Sequence, residues 1–147
     1  MDTGGRRYVG IVRLKHYQRG GGMNILVVDG EDGARAVFTN TLFRKGDQAT
    51  FANSGEDALA LFRKKAFDLV ITDIKLPTMN GLQLLCEIKK LAPTVDVIVV
   101  TDSGTIETYL KAISLGAAEY INRPFRVKDL KCIIHAFLSR REAKSRS

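Results

Sequence analysis

Apolar residues in this chain follow two spacings that take turns. The runs Ile25-Leu26-Val27-Val28 (after Met23-Asn24), Leu69-Val70-Ile71 (before Thr72) and Val97-Ile98-Val99-Val100 are apolar on consecutive positions. Such runs predict strands buried on both faces, as in a parallel sheet. Between them the period becomes helical. Ala34, Val37, Phe38, Thr41 and Leu42 fall at i, i+3, i+4, i+7 and i+8 and predict a first helix. Lys45-Gly46-Asp47 stops it, with Gly46 as a left-handed cap. Ala49-Thr50-Phe51-Ala52 reads as a short second strand. Asn53-Ser54-Gly55 then turns into a helix carrying Ala58, Leu59, Leu61 and Phe62, which ends at the basic run Arg63-Lys64-Lys65. Gly81 to Leu91 predicts a helix with Leu82, Leu85, Ile88 and Leu91 inward, ended by Pro93. Ser103-Gly104-Thr105 opens a fourth helix with Ala112, Ile113 and Leu115, closed by Gly116. Ala118-Glu119-Tyr120-Ile121 is the fifth strand. The last helix is expected from Val127 to Arg141, burying Leu130, Ile133, Ile134, Phe137 and Leu138.

The order is strand then helix, five times over. That alternation implies an α/β fold with a parallel sheet, right-handed crossovers and helices on both faces. Open sheets of this kind place ligand chemistry at the C-terminal ends of their strands. Strands one, three and four end in Asp29, Asp73 and Thr101. Two carboxylates and a hydroxyl at one edge suggest an oxygen-rich site for a cation and a phosphoryl group.

With 147 residues, 45% of them hydrophobic, the chain suits one domain with a real core. No apolar run approaches the roughly 20 residues that cross a bilayer. The patch Tyr8-Val9-Gly10-Ile11-Val12 is too short for a signal peptide. A cytoplasmic protein is expected. The net charge of +7 belongs to the ends: residues 1–22 carry +4 and residues 140–147 carry +3, whereas the remaining residues balance. These ends read as solubilising or non-native sequence rather than a nucleic-acid grip. Residues 1–22 are accordingly expected to be a disordered or non-native extension, with Met23 as the natural start. The domain is expected over 23–140 and a basic tail over 141–147. Cys86 and Cys132 lack metal or redox spacing and read as packed side chains. His16 and His135 show no partners in sequence.

Five separated elements resemble the receiver domain of two-component response regulators. They are Ile25-Leu26-Val27-Val28-Asp29, Asp73 with Lys75-Leu76-Pro77 and Gly81, Thr101, Gly116-Ala117-Ala118 with Tyr120, and Pro124-Phe125. The resemblance covers about residues 23–140. It implies a flavodoxin-like (βα)5 sheet with strand order 2-1-3-4-5. It further implies that Asp73 accepts a phosphoryl group from a histidine kinase, and that Asp29, Asp73 and the Lys75 backbone carbonyl hold Mg²⁺. Thr101 matches the hydroxyl that bonds the attached phosphoryl group. Tyr120 matches the aromatic switch. Pro124 matches a position that commonly follows a cis bond. A homodimer through the fourth helix, fifth strand and fifth helix is a family expectation. No membrane contact is expected, and nucleic acid only through an output domain not present in this chain. No helix-turn-helix or ATPase segment follows, so the chain reads as a stand-alone receiver or a piece of a longer regulator.

Three departures from the family pattern stand out. Gly30 replaces the second acid after strand one, which weakens the expected Mg²⁺ site. Glu31 is the alternative ligand, although Arg35 keeps the usual spacing from Asp29. Arg123 replaces the family's Lys; it keeps the charge in a bulkier, planar group. Asp102 follows Thr101 where a small residue is usual, and is expected to repel an incoming phosphoryl group or simply face solvent, with pairing to Arg123 or an oxygen lent to a metal as the alternatives. Two readings follow: a phosphoacceptor, or a pseudo-receiver that binds partners without phosphate. Flavin binding is disfavoured, because Val28-Asp29-Gly30-Glu31-Asp32 is acidic where a phosphate loop would be. No nucleophile–base constellation is visible for a separate substrate, so the chain is not expected to be an enzyme.

Overall fold

The apolar runs form the middle of one six-stranded sheet. A computed structural model describes residues 9–13, 22–29, 43–44, 46–102 and 104–146. The strands are β1 (Val9–Arg13), β2 (Asn24–Val28), β3 (Gln48–Ala52), β4 (Leu69–Asp73), β5 (Asp96–Thr101) and β6 (Glu119–Asn122), and the helices are α1 (Gly55–Lys64), α2 (Gly81–Leu91), α3 (Ile106–Ser114) and α4 (Val127–Arg146). The sheet order is β1-β3-β2-β4-β5-β6. From β3 to β6 every pairing is parallel. Counted from β2, this is the expected 2-1-3-4-5 order of a flavodoxin-like sheet. The helix expected over Ala34–Leu42 lies outside the described residues.

Alternate residues of the central strands feed two cores. Ile25, Val27, Leu69, Ile71, Ile98 and Val100 face Leu130, Ile134, Phe137 and Leu138 of α4. Leu26, Val28, Val70, Val97 and Val99 face Ala58, Leu82, Leu85 and Ile88 of α1 and α2, together with Ala112 of α3. Burial on both faces is why these strands read as continuous apolar runs rather than alternating ones. No helix among the described residues is long and apolar enough to cross a membrane.

Regular structure enters both expected tails. Residues 9–13, read as part of a disordered or non-native extension, form β1, which pairs antiparallel with β3 from Val9↔Ala52 to Arg13↔Gln48. The edge of β3 would otherwise present unpaired backbone groups, and the β-branched residues of Val9-Gly10-Ile11-Val12 favour extended backbone. At the other end, the last helix runs on to Arg146 instead of stopping at Arg141. Its extension is tied down. Arg141 lies 3.6 Å from Asp68 and donates to the Thr94 carbonyl at 3.2 Å. Glu142 accepts from Arg44 at 3.0 Å. Arg44 in turn pairs with buried Asp47, which also accepts the Met23 N–H at the start of β2.

The helices differ in how much they bury. Leu84 of α2 is buried and Leu91, expected inward, is 48% exposed. In α3 only Ala112 is buried. Ile106, Tyr109, Leu110 and Ile113 are exposed, Ile106 at 78%.

Candidate functional site

Asp29 and Asp73 stand at neighbouring strand ends. Asp29 follows β2, and its N–H donates to the Ala52 carbonyl of β3 at 3.0 Å. Asp73 is the last residue of β4, paired with Val100 of β5. Both carboxylates are about nine-tenths buried. The loop after Asp73 is held at each step. The Lys75 N–H donates to the Asp73 carboxylate at 3.3 Å, and the Gly81 N–H donates to the Ile74 carbonyl at 2.8 Å. A Cβ at Gly81 would collide with the Asp73 carbonyl, so α2 starts close against the site only because that residue is glycine. A reciprocal Asn80–Gln83 capping box fixes this helix start. Thr78, at the tip, has φ 60, a left-handed conformation costly for a β-branched residue. Its hydroxyl donates to Glu56 at 2.6 Å, and that bond holds the exposed Glu56 carboxyl below its ordinary pKa.

Arg123 closes the site from the β6 side. Its N–H donates to the Thr101 carbonyl at 2.7 Å, which carries the β5–β6 pairing one residue past Asn122. The bond that follows, Arg123–Pro124, is cis. Nη1 of Arg123 lies 3.6 Å from the Asp73 carboxylate and Nη2 lies 3.8 Å from that of Asp29. One guanidinium thus straddles both acids. A cavity of about 10 Å³ adjoins them, on the order of a single water, lined by Asp29, Thr72, Asp73, Val100 and Arg123 among others.

Thr101 is fully buried at the end of β5. The Tyr120 hydroxyl and the Thr101 methyl both crowd the open side of Gly104: a Cβ there would stand 2.5 Å from the first and 3.1 Å from the second. Tyr120 is half-buried, shares a 2.6 Å hydrogen bond with the Thr108 hydroxyl, and meets Tyr109 edge to face at 5.4 Å. Thr108 and Gly104 were not singled out from sequence. The only local signal for Thr108 is its place three residues after the cap Thr105. Asp102 is exposed, and among the described ion pairs of Arg123 the partners are Asp29 and Asp73 rather than Asp102. Gly30, Glu31 and Asp32 lie outside the described residues. Cys86 is half-buried and Cys132 exposed, both as free thiols.

The donors suit a hard divalent cation in kind, being two carboxylates and the Lys75 carbonyl. No group of three or more His, Cys, Asp or Glu among the described residues converges on one point. The guanidinium offsets part of the charge of the two acids that do.

A parallel five-strand order with paired acids, a hydroxyl and a basic residue on one sheet edge defines a receiver-type site. The sequence matches the response regulator receiver domain over residues 25–135, and the chain belongs to that family. It is 38% identical to the transcriptional regulatory protein ZraR of Salmonella typhimurium over 71% of this chain and 24% of that protein. It is 34% identical to the DNA-binding transcriptional regulator NtrC of Azospirillum brasilense over 78% of this chain and 24% of that one. The chain therefore spans about a quarter of the length of these curated relatives. Among solved structures, a CheY-like receiver domain protein from Methanospirillum hungatei superposes with a TM-score of 0.77 at 30% identity, covering 83% of this chain and 98% of that one. NtrX from Brucella abortus does so at 0.75 and 34% identity, over 85% of this chain and 29% of that one.

Proposed function

We propose that Asp73 accepts a phosphoryl group from a histidine kinase and that this state switches the face built by α3, β6 and α4. The observation that carries the reading is the placement of Asp73: a mostly buried carboxylate at a strand end, facing a fixed cation at 3.6 Å with a hydroxyl-bearing strand end alongside. Carboxylate attack on a phosphoryl donor brings two anions together. A neighbouring positive charge lowers that barrier and stabilises the charge spread over the equatorial oxygens. In the transfer an Asp73 oxygen bonds to phosphorus as the donor's bond to phosphorus breaks. Arg123 supplies charge on the near side, and Thr101 offers a hydroxyl for a phosphoryl oxygen. Mg²⁺, expected from the resemblance in a weakened site, would be held by Asp29, Asp73 and the Lys75 carbonyl, with Glu31 as the further candidate, and would add positive charge at the same oxygens. Tyr120, between Thr108 and Gly104, would pass a change at Thr101 to α3. The exposed apolar side of α3 is the surface on which a partner or a second copy would register it.

The test is intact mass after incubation with a small phosphodonor, with and without Mg²⁺, beside Asp73→Asn. One phosphoryl adduct on the parent and none on the variant is the expected result. No adduct on either would favour a phosphate-independent interaction module. What supports that second reading is the pairing of both acids with Arg123, which already offsets part of the charge that a switch would need to change.

A further inference from the structure

We propose that Arg123 is the resident counter-cation of this site and competes with divalent metal for Asp29 and Asp73. The inference deepens the phosphoacceptor reading and rests on it for the purpose of the site, although the competition itself belongs to the unphosphorylated protein. Three features of Arg123 carry it.

The first is the fork. Separate terminal nitrogens serve the two acids, Nη1 towards Asp73 at 3.6 Å and Nη2 towards Asp29 at 3.8 Å. A planar guanidinium can span two carboxylates in this way, whereas the point charge of a lysine ammonium cannot be shared so evenly. The second is donor supply. A guanidinium carries five N–H donors in one rigid plane, enough to face two carboxylates at once. The third is anchoring. The Arg123 backbone is pinned to the Thr101 carbonyl, and its guanidinium lies 5.8 Å from the centre of the Phe125 ring. The side chain is 28% exposed, so part of it stays open to solvent.

Mg²⁺ demands near-ideal octahedral oxygen geometry at roughly 2.0–2.1 Å and keeps several of its waters. The cavity beside these acids is about 10 Å³. A hydrated cation that takes both carboxylates competes with the guanidinium for the same oxygens and meets a like charge there. Gly30 sharpens the contest, because the position that would give the metal a further carboxylate has no side chain. Metal affinity here is set by a competing side chain as much as by the donor set.

The experiment is calorimetric titration of Mg²⁺ into the parent chain, Arg123→Gln and Arg123→Lys, with thermal unfolding recorded with and without the metal. The expected result is at least tenfold tighter Mg²⁺ binding by Arg123→Gln, with a larger upward shift in Tm on adding the metal. Arg123→Lys is expected to gain less, severalfold, because a single ammonium is displaced more easily than a fork. It also retains the balancing charge, so it reports on the proposal even where Arg123→Gln is poorly folded. Equal affinity in parent and both variants would overturn the proposal, and so would undetectable binding in all three. Phosphodonor labelling of the same samples keeps the two ideas apart. An adduct on Asp73 with no gain in Mg²⁺ affinity would sink the competition alone; a gain in affinity with no adduct would sink the phosphoacceptor reading and leave the competition standing.

Discussion

Neighbouring helices α2 and α3 lie on the same side of the sheet and are built on opposite terms. α2 buries Gly81, Leu82, Leu84, Leu85 and Ile88 against the strands. α3 buries only Ala112, although it is no less apolar in sequence, and turns Ile106, Tyr109, Leu110 and Ile113 to solvent. The residues that tie α3 down are mainly polar: the Thr105–Thr108 capping box and the bond from Thr108 to Tyr120. Burying a leucine contributes roughly 1.5–3 kcal/mol, and a hydrogen bond about 1 kcal/mol net. α2 is therefore held by terms that a signal cannot easily overcome, and α3 by terms it can. A helix that shifts readily has to be weakly bound, and one that fixes the loop after Asp73 must not be.

The largest expected effect tests that contrast directly. Leu85→Ala in α2 removes a fully buried side chain and should cost about 2–5 kcal/mol in chemical denaturation. Leu110→Ala in α3, at a position 59% exposed, should change stability by less than about 0.5 kcal/mol. Comparable losses at the two positions would mean that α3 is as firmly packed as α2, and the comparison would fail.

The contrast also explains what was legible in the sequence. β4 and β5 could be read because residues buried on both faces leave unbroken apolar runs, and Asp73 and Thr101 followed as their terminal residues. β1 could not. Five residues have no periodicity that distinguishes a strand from an extension, and the partner that makes them a strand is β3, more than thirty residues away. In α3, Ile106, Tyr109, Leu110 and Ile113 follow the i, i+3, i+4, i+7 spacing that in most helices marks the inner face. Here it marks the outer one, since sequence spacing defines a stripe but not the side it turns to. At the site, the type of residue 123 was visible as a departure from the family pattern. Its reach to both acids was not, because that depends on how β6 ends against β5. The helix end at Arg141 was misread for a similar reason: Arg44, Asp68 and Thr94, which hold the next turn, come from distant parts of the chain.

A middle-sized effect is expected where the two helices begin. Each starts beside a glycine that packs closely on the site. At Gly81 the obstacle to a Cβ is backbone, the carbonyl of Asp73 and the α-carbon of Ile74. Gly81→Ala should therefore cost about 1–3 kcal/mol and disturb the loop after Asp73. At Gly104 the nearest obstacle is the hydroxyl end of Tyr120, which can rotate away. Gly104→Ala should cost less than Gly81→Ala while displacing Tyr120. The check is denaturation for both variants, with tyrosine fluorescence or NMR reporting on the ring; the chain has no Trp to mask it. A Gly104→Ala variant that loses as much stability as Gly81→Ala would show that Tyr120 is wedged and not free to move.

The smallest effect falls on the bond that ties α3 to β6. The Thr108 and Tyr120 hydroxyls meet at 2.6 Å in a partly buried setting. Thr108→Ala removes that bond and one half of the capping box, whereas Tyr120→Phe removes the bond alone. The hydroxyl pair is worth about 0.5–1.5 kcal/mol and the cap a similar amount at most. Tyr120→Phe should thus cost less than Thr108→Ala, with both well below Leu85→Ala. The informative quantity is the double mutant: a coupling energy near the single-bond value means the hydroxyls act on each other, whereas simple additivity means α3 is held by its cap and Tyr120 is a bystander. In the first case any change at Thr101 that draws Tyr120 away also loosens α3 by the same small amount. For a helix that buries little else, that amount is enough to shift where it sits.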